Sequence, residues 1–169
     1  MKHTHTTLSA VLALSLCLAS LPGRSAELPP LTLAGMEFAH MEVARTSAER
    51  ATGLMERKWL DDDGGMVFLF EEIGPVTMWM KNTRIPLDCL FLDAGGRVLK
   101  VVTMRVEPPK GPRESTDAYE KRLPLYSCRQ AVACVVELRA GMAKELGIRP
   151  GEVLPELSLR NILQKISLI

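Results

Sequence analysis

The chain is organised around the stretch WMKNTRIPLD, residues 79–88, which combines an aromatic ring, a cation, an amide, a hydroxyl and a carboxylate. Apolar runs at 66–70 and 76–80 predict two buried strands ahead of its polar part. Pro86 cannot donate a ladder hydrogen bond, so it marks the start of the next strand, at 87–93. The stretch therefore predicts a polar bend between strands.

Short strands and a few helices are predicted around this bend. The small residues at 94–96 indicate a hairpin turn. Thr46 and Glu49 form a capping-box pattern ahead of a short helix at 47–57, and Ser158 can cap a helical tail whose apolar residues share one face. The expected class is α+β, mostly β: a small curved sheet or partial barrel with two short helices and a C-terminal helical tail. Further strands are predicted at 38–44, 97–106, 131–138 and 153–154, turns at 61–65 and 71–75, and a helical turn at 141–146.

The first residues have the pattern of an export signal. Lys2 supplies a positive start, and the apolar run at 8–21 is shorter than the roughly 20 residues that span a bilayer. An N-terminal membrane anchor is the alternative, although the flanking residues favour cleavage. We expect the mature protein to be exported, either periplasmic or secreted, and not bound to a membrane. The predicted segments are a signal peptide at 1–26, cleaved between 19 and 26, a single domain at 28–154 and a tail at 155–169.

The charge balance argues against two classes of partner. Without Lys2 and Arg24, the chain has 19 basic and 20 acidic residues. It lacks the basic surface of nucleic-acid-binding domains. It also lacks a polybasic segment that would bind acidic lipids.

Three cysteines remain after the leader: Cys89, Cys128 and Cys134. An odd number leaves at least one free thiol in an oxidising compartment. Cys89 and Cys134 lie in apolar, strand-like runs, so we expect two buried thiols rather than a bridge between them.

Several segments together resemble a known family. They are RATGLM at 50–55, GMVF at 65–68, the 79–88 stretch and VVEL at 135–138. Over 38–154 the chain is similar to the prokaryotic family catalogued as domain of unknown function 192. The resemblance implies a compact, mostly-β fold that is often exported and has no agreed biochemical activity. The 107–129 loop is longer than usual for that family and the tail after Leu154 is an addition, so partner specificity is expected to be this protein's own.

Asp88 is the central candidate for a functional site. Strand alternation places it among apolar side chains, and a buried carboxylate needs a partner. Lys81 and Arg50 are the available cations. One interpretation is a structural ion pair that holds the bend. The other is a shallow polar pocket that faces a small anionic or polyhydroxylated ligand. The candidate ligand-binding residues are Arg50, Lys81, Asn82, Thr83, Asp88 and Glu137.

Two alternatives use other chemistry. A cell-envelope hydrolase or lyase would use Asp88 or Glu137 as general acid or base. His40 is the one histidine after the leader, and no Gly-x-Ser-x-Gly elbow is present. A soft-metal carrier would use the thioethers of Met78 and Met80 on one strand face, although this spacing is also ordinary core packing.

The leading expectation is an exported, non-catalytic binding or accessory domain. No cofactor is expected, because the sequence has no Gly-x-Gly-x-x-Gly or Walker loop, and no set of closely spaced Cys and His ligands for a structural metal. The contact surface would be the 79–88 stretch together with the 107–129 loop, which is longer than most loops. A small polar or anionic ligand, or an envelope protein, is the expected partner.

Overall fold

The computed structural model describes residues 25–169. The signal peptide predicted at 1–26 therefore lies almost entirely outside the described residues. Within that described part of the chain, no helix is long and apolar enough to cross a membrane. The strands are β1 (Ala26–Glu27), β2 (Leu31–Leu33), β3 (Met36–Phe38), β4 (His40–Ala44), β5 (Gly64–Met78), β6 (Leu87–Leu92), β7 (Val98–Met104) and β8 (Tyr126–Arg139). The helices are α1 (Ser47–Thr52), α2 (Thr116–Arg122), α3 (Met142–Glu145) and α4 (Leu159–Ile166), with a 3-10 turn at Pro155–Leu157.

Six strands form one open sheet in the order β1-β4-β5-β8-β6-β7. β4 and β5 are parallel, and the other neighbouring strands are antiparallel. β2 and β3 form a separate antiparallel hairpin. The α+β, mostly-β class is confirmed, and the sheet stays open rather than closing into a barrel.

β5 is longer than the sequence predicts, because the segment at 71–75 continues the strand. β8 follows β5 over most of its length, with register shifts between Leu69 and Val76. Bulges of this kind accommodate a proline inside a strand, here Pro75. The predicted turn at 71–75 is therefore wrong, because β8 supplies a pairing partner that the local sequence does not reveal.

Helix α1 begins as predicted and ends earlier. The Thr46 hydroxyl accepts a hydrogen bond from the Glu49 N–H at 3.2 Å, and the Glu49 carboxylate accepts one from the Thr46 N–H at 2.8 Å, which confirms the capping box. The helix ends at Thr52, because Gly53 follows with a positive φ of 46° that does not continue a right-handed helix. A Cβ atom at Gly53 would lie 3.2 Å from the Phe68 ring, so the helix end and β5 approach each other closely.

A hydrophobic core lies on each face of the sheet. The first core includes Leu90 and Leu138 and is covered by α3 and α4, with Ile162 of α4 fully buried. The second core includes Phe68 and Phe91. Side chains on opposite faces of β6 and β8 therefore face different cores. The position of a polar residue along its strand decides which core it faces.

The tail and the cysteines follow the prediction. α4 begins after Ser158, whose hydroxyl accepts a hydrogen bond from the Asn161 N–H at 3.4 Å. Cys89, Cys128 and Cys134 are all buried free thiols. Helix α4 therefore covers the first core, and the described residues contain no disulfide bond.

Asp88 lies on the first-core face of β6 and is only 1% exposed. Its Oδ1 accepts a 2.6 Å hydrogen bond from the Thr103 hydroxyl. Its Oδ2 accepts 2.9 Å hydrogen bonds from the backbone N–H groups of Gly141 and Ala143. Three uncharged donors therefore surround this buried carboxylate.

The expected ion pair between Asp88 and Lys81 or Arg50 is wrong. Within residues 25–169, both cations pair with other acids, and no salt bridge reaches Asp88. The three donors supply the hydrogen bonds that a buried carboxylate needs, and two of them belong to the corner between β8 and α3. Asp88 therefore anchors that corner and does not hold the bend.

Asp88→Ala should lower the free energy of unfolding by about 3 kcal/mol, because it leaves three buried donors without an acceptor. Urea denaturation followed by circular dichroism measures this change. Asp117→Ala is the control, because Asp117 is exposed and pairs with Lys121 one helical turn away. The control should change the free energy of unfolding by less than about 0.5 kcal/mol. Equal losses in the two variants would show that Asp88 does not anchor the corner.

Candidate functional site

The bend at 79–84 leaves the end of β5 and is held by backbone hydrogen bonds. Asn82 has a left-handed φ of 52°, a conformation that Asn adopts more readily than most residues. Its carbonyl accepts a 2.9 Å hydrogen bond from the Glu56 N–H, which ties the bend to the chain after α1. The Thr83 N–H donates to the Met80 carbonyl at 3.2 Å and closes the turn. The bend therefore keeps its shape without the ion pair that the sequence predicts.

The segment predicted as the 107–129 loop contains helix α2 and packs on the bend, and its last four residues belong to β8. The Tyr119 hydroxyl accepts a 2.9 Å hydrogen bond from the Asn82 N–H, and Tyr119 is buried. Glu120 forms an ion pair with Lys81 at 2.5 Å. The bend and the loop, which are predicted to share one contact surface, therefore form a single unit.

Helix α2 is not among the helices predicted from the sequence, although Ser115 precedes it as a capping residue. The Ser115 hydroxyl accepts a hydrogen bond from the Ala118 N–H and caps the helix. Asp117 lies in the first turn and Arg122 in the last turn, which is the charge order that the helix dipole favours. Arg122 also lies over the Tyr119 ring, 4.9 Å from its centroid. The prolines around the segment are typical of irregular structure, so the capping pattern alone does not predict a helix here.

A cavity of about 360 Å³ lies between the bend and the loop, and we call it the loop groove. Its volume falls in the usual range of small-molecule sites. An ion pair between Glu56 and Arg84 lies at its wall. Its lining residues include Glu56, Asn82, Arg84, Val106, Glu107 and Tyr119. Asn82 is a ligand-binding candidate from the sequence, whereas Glu56 and Val106 lie outside the predicted contact surface.

A smaller cavity of about 30 Å³ lies beside the loop groove, and Thr83 lines both; we call it the polar pocket. Its walls come from the end of α1, from Phe68 and the end of β5, from the bend and from the end of β8. Asn82 lines the loop groove instead, and Asp88 lines a separate cavity of about 350 Å³ on the opposite face of the sheet. The predicted ligand-binding residues that meet in the polar pocket are Arg50, Lys81, Thr83 and Glu137.

Glu137 is the least satisfied polar group of the polar pocket. On β8 it pairs with Met66 of β5 on one side and Cys89 of β6 on the other, so it lies in the middle of the second-core face. It is 4% exposed, and no residue in 25–169 forms a hydrogen bond with its carboxyl group. Burial raises the pKa of Glu137 to about 8, so the carboxyl is mostly protonated at pH 7. The carboxyl group therefore borders the polar pocket with its hydrogen-bonding capacity unused by the described residues.

Both cations of the polar pocket already contact other parts of the protein. Arg50 Nη1 donates to the carbonyl of Arg45 at 2.6 Å and to the carbonyl of Leu69 at 2.9 Å. Lys81 holds the loop through its ion pair with α2. Neither cation forms a salt bridge with Glu137 in the described part of the chain. With Glu137 neutral, the charged side chains that line the pocket are therefore positive.

Of the residues considered for metal binding or histidine-based catalysis, Met78 lines the polar pocket, and Met80 and His40 line neither cavity. Met80 is buried in the second core and Met78 packs against that core, so packing accounts for both thioethers. His40 is exposed on β4, and its hydrogen bond to Glu27 at 3.0 Å raises the pKa of the imidazole. Among residues 25–169, no group of three His, Cys, Asp or Glu side chains could hold a metal ion.

The segments that carry the family resemblance meet at the polar pocket. The pocket is lined by the 50–55 segment, Phe68, Trp79, Lys81 and Glu137. These residues belong to different secondary-structure elements and are distant in sequence. The segments that resemble the family are therefore far apart in the sequence but surround one cavity.

Two solved structures are similar to this chain. A Sinorhizobium meliloti 1021 protein, proposed to be a transcription regulator, is 33% identical with a TM-score of 0.57, and the match covers 77% of this chain and 95% of that chain. A Novosphingobium aromaticivorans DSM 12444 protein of unknown function is 31% identical with a TM-score of 0.53, and the match covers 76% of this chain and 91% of that chain. No curated protein matches this chain significantly.

The family model of domain of unknown function 192, described as an uncharacterised ACR, matches residues 31–155. The matched range includes the bend, the loop and every residue named in the two cavities. It also spans most of the chain. This protein therefore belongs to the domain-of-unknown-function family 192.

Proposed function

We propose that this chain is an exported, non-catalytic binding domain that holds a small polyhydroxylated ligand in the loop groove. The groove itself is the observation that carries the proposal. The Tyr119–Asn82 hydrogen bond and the Glu120–Lys81 ion pair lock the loop onto the bend, and a cavity of about 360 Å³ remains between them. A preformed site avoids the entropy cost of ordering a loop on binding.

The lining of the loop groove suits a ligand with hydroxyl groups. Glu56 and Glu107 can accept hydrogen bonds from hydroxyls, and Arg84 can donate to them. Val106 and Pro109 offer apolar surface to the C–H face of a sugar ring. A few polar groups beside an apolar wall are typical of small-molecule sites. An anionic ligand would meet two carboxylates here, so the lining favours the polyhydroxylated class.

Sequence features support export and the class of partner. The positive start at Lys2 and the apolar run at 8–21 favour an export signal. The Sinorhizobium meliloti relative is proposed to be a transcription regulator. With 19 basic and 20 acidic residues beyond the leader, this chain lacks the charge that nucleic-acid binding requires. We therefore propose a small-molecule ligand rather than DNA.

Catalysis by a hydrolase or lyase is the second candidate, and Glu137 is the observation that favours it. A carboxyl that is protonated at pH 7 can act as a general acid. However, the polar pocket measures about 30 Å³, and Glu137 is the one acidic side chain among its described lining residues. Asp88 is unsuitable, because both of its oxygens already accept hydrogen bonds. The geometry therefore supports binding better than catalysis.

Val106→Trp should weaken ligand binding, because the indole fills part of the loop groove. Val153→Trp is the matched control, since Val106 and Val153 are both 44% exposed and Val153 lies outside the groove. Isothermal titration calorimetry with a panel of mono- and disaccharides, including N-acetylglucosamine, measures the affinity. We expect a loss of at least about tenfold for Val106→Trp and no change for Val153→Trp. Absence of saccharide binding to the wild type, or equal binding by the two variants, would contradict the proposal.

Glu137→Gln should change how stability depends on pH. The pKa of Glu137 is about 8 in the folded state, against an ordinary value of 4.5, so the folded state holds an extra proton between these values and the wild type loses stability as the pH rises through this window. The variant has no proton to lose. Its free energy of unfolding should therefore rise relative to the wild type by on the order of 1 kcal/mol per pH unit between about pH 5 and about pH 8.

Urea denaturation at several pH values across this window measures the difference between wild type and Glu137→Gln. Glu72→Gln is the control, because Glu72 is exposed, and its difference from the wild type should not change with pH. Parallel stability curves for the wild type and Glu137→Gln would show that Glu137 is already ionised at pH 7.

A further inference from the structure

We propose that the polar pocket binds the carboxylate group of a small organic acid, with the buried carboxyl of Glu137 as hydrogen-bond partner and with Arg50 and Lys81 as the surrounding positive charge. The pocket is distinct from the loop groove. The proposal therefore does not rest on the function proposed for the groove, and each can fail alone.

The unsatisfied carboxyl of Glu137 is the first support. It lines the pocket, is nearly fully buried and has no hydrogen-bond partner within residues 25–169. A protonated carboxyl offers one O–H donor together with spare acceptor capacity. Its oxygens are not among the fully buried side-chain atoms that lack a partner, so they border the open part of the pocket. An acceptor oxygen from a ligand in the pocket can therefore reach this O–H.

The charged side chains of the pocket favour an anion. Arg50 and Lys81 line it, and their side chains are 19% and 24% exposed. Their acidic partners are not among its lining residues: Glu71 lies 4.0 Å from Arg50 and is 83% exposed, and Glu120 belongs to α2. A lysine ammonium has three donors, so its bond to Glu120 leaves others free. A ligand carboxylate would therefore meet positive charge and unused donors.

The other titratable neighbours of Glu137 on the sheet add no negative charge to the pocket lining. Cys89, its partner on β6, is buried, and burial raises the pKa of that thiol well above its ordinary value. Glu42 lies two strands away, beyond Met66, and forms an ion pair with Arg57 at 2.5 Å. Neither group would repel an anion held beside Glu137.

The size of the pocket restricts the guest to a single functional group. A volume of about 30 Å³ accommodates a carboxylate but not a whole metabolite. Its walls include the apolar side chains of Met55, Phe68 and Trp79, and a low local dielectric strengthens hydrogen bonds. An ammonium group of similar size would face both cations. A water molecule would satisfy Glu137 without using either of them.

Carboxylate binding requires the proton on Glu137, because two ionised carboxyl groups in contact repel each other. The affinity should therefore be constant while Glu137 is protonated and fall about tenfold for each pH unit above its pKa of about 8. A cationic ligand would show the opposite trend, and a neutral acceptor would show a weaker dependence, because it loses the O–H donor without meeting charge repulsion. The size of the pH dependence, compared between acetate and acetamide, therefore identifies the class of ligand.

Acetate is the probe, because its carboxylate is its one polar group. Isotope-labelled protein is titrated with sodium acetate at constant ionic strength between about pH 6 and about pH 9 and followed by nuclear magnetic resonance. We expect the amide signals of Lys81, Thr83 and Glu137 to shift, with a millimolar dissociation constant that weakens above about pH 8. Acetamide and methylammonium are the matched probes and should bind at least about tenfold more weakly.

Variants test the hydrogen-bond donor of Glu137 and the positive charge of Lys81 separately. Glu137→Gln keeps a donor but cannot ionise, so it should bind acetate with an affinity that does not depend on pH. Glu137→Leu and Lys81→Met should each weaken acetate binding at least about tenfold. Glu120→Gln is the control for Lys81→Met, because it breaks the same ion pair and leaves the ammonium in the pocket. Val106→Trp alters the loop groove alone, so neither control should weaken acetate binding.

Equal binding of acetate and acetamide would overturn the proposal, as would an affinity of the wild type that is independent of pH. A loss in Glu120→Gln as large as the loss in Lys81→Met would show that Lys81 acts only by holding the loop. If Glu137→Leu does not fold, the comparison of pH profiles between the wild type and Glu137→Gln still decides the question. Loss of saccharide binding alone would remove the groove proposal and leave this one intact.

Discussion

The pairing of β8 with β5 on one side and with β6 on the other is the constraint on which the rest of the structure depends. Because side chains alternate along a strand, this pairing decides which acid faces which core. Glu137 lies in a row with Met66 and Cys89 on the second-core face. Asp88, one residue before Cys89 on β6, pairs with Leu138 and faces the first core. A shift of one residue in this register would move each carboxyl to the wrong face.

The two buried acids are stabilised in opposite ways. Asp88 accepts three hydrogen bonds and connects β7, β6 and the corner before α3, so its charge is compensated and its role is structural. Glu137 accepts none from the described residues, and burial raises its pKa. A fold gains no stability from a carboxyl of this second kind, since an apolar side chain of similar size would avoid the desolvation penalty. The hydrogen bonds, rather than the residue type, therefore distinguish the structural acid from the functional candidate.

Local patterns predict much of this fold, because they depend on residues close together in the chain. Pro86 marks the start of β6, and capping residues mark the starts of α1 and α4. The same reasoning singled out four residues that the structure brings together in the polar pocket. It could not find the partners of Asp88, because Gly141 and Ala143 are more than 50 residues away and donate through backbone N–H groups that carry no sequence signal. The mistaken turn at 71–75 has the same origin, since β8 pairs with that region from a distance.

The bend joins the two cavities because consecutive residues of one tight turn face different sides. Lys81 lines the polar pocket, Asn82 lines the loop groove, and Thr83 lines both. The left-handed backbone at Asn82 lets the chain reverse within this short distance. Lys81 also pairs with Glu120, so the ammonium that makes the pocket positive also holds α2 against the bend. Because an ammonium carries three donors, holding the loop does not prevent Lys81 from contacting a ligand.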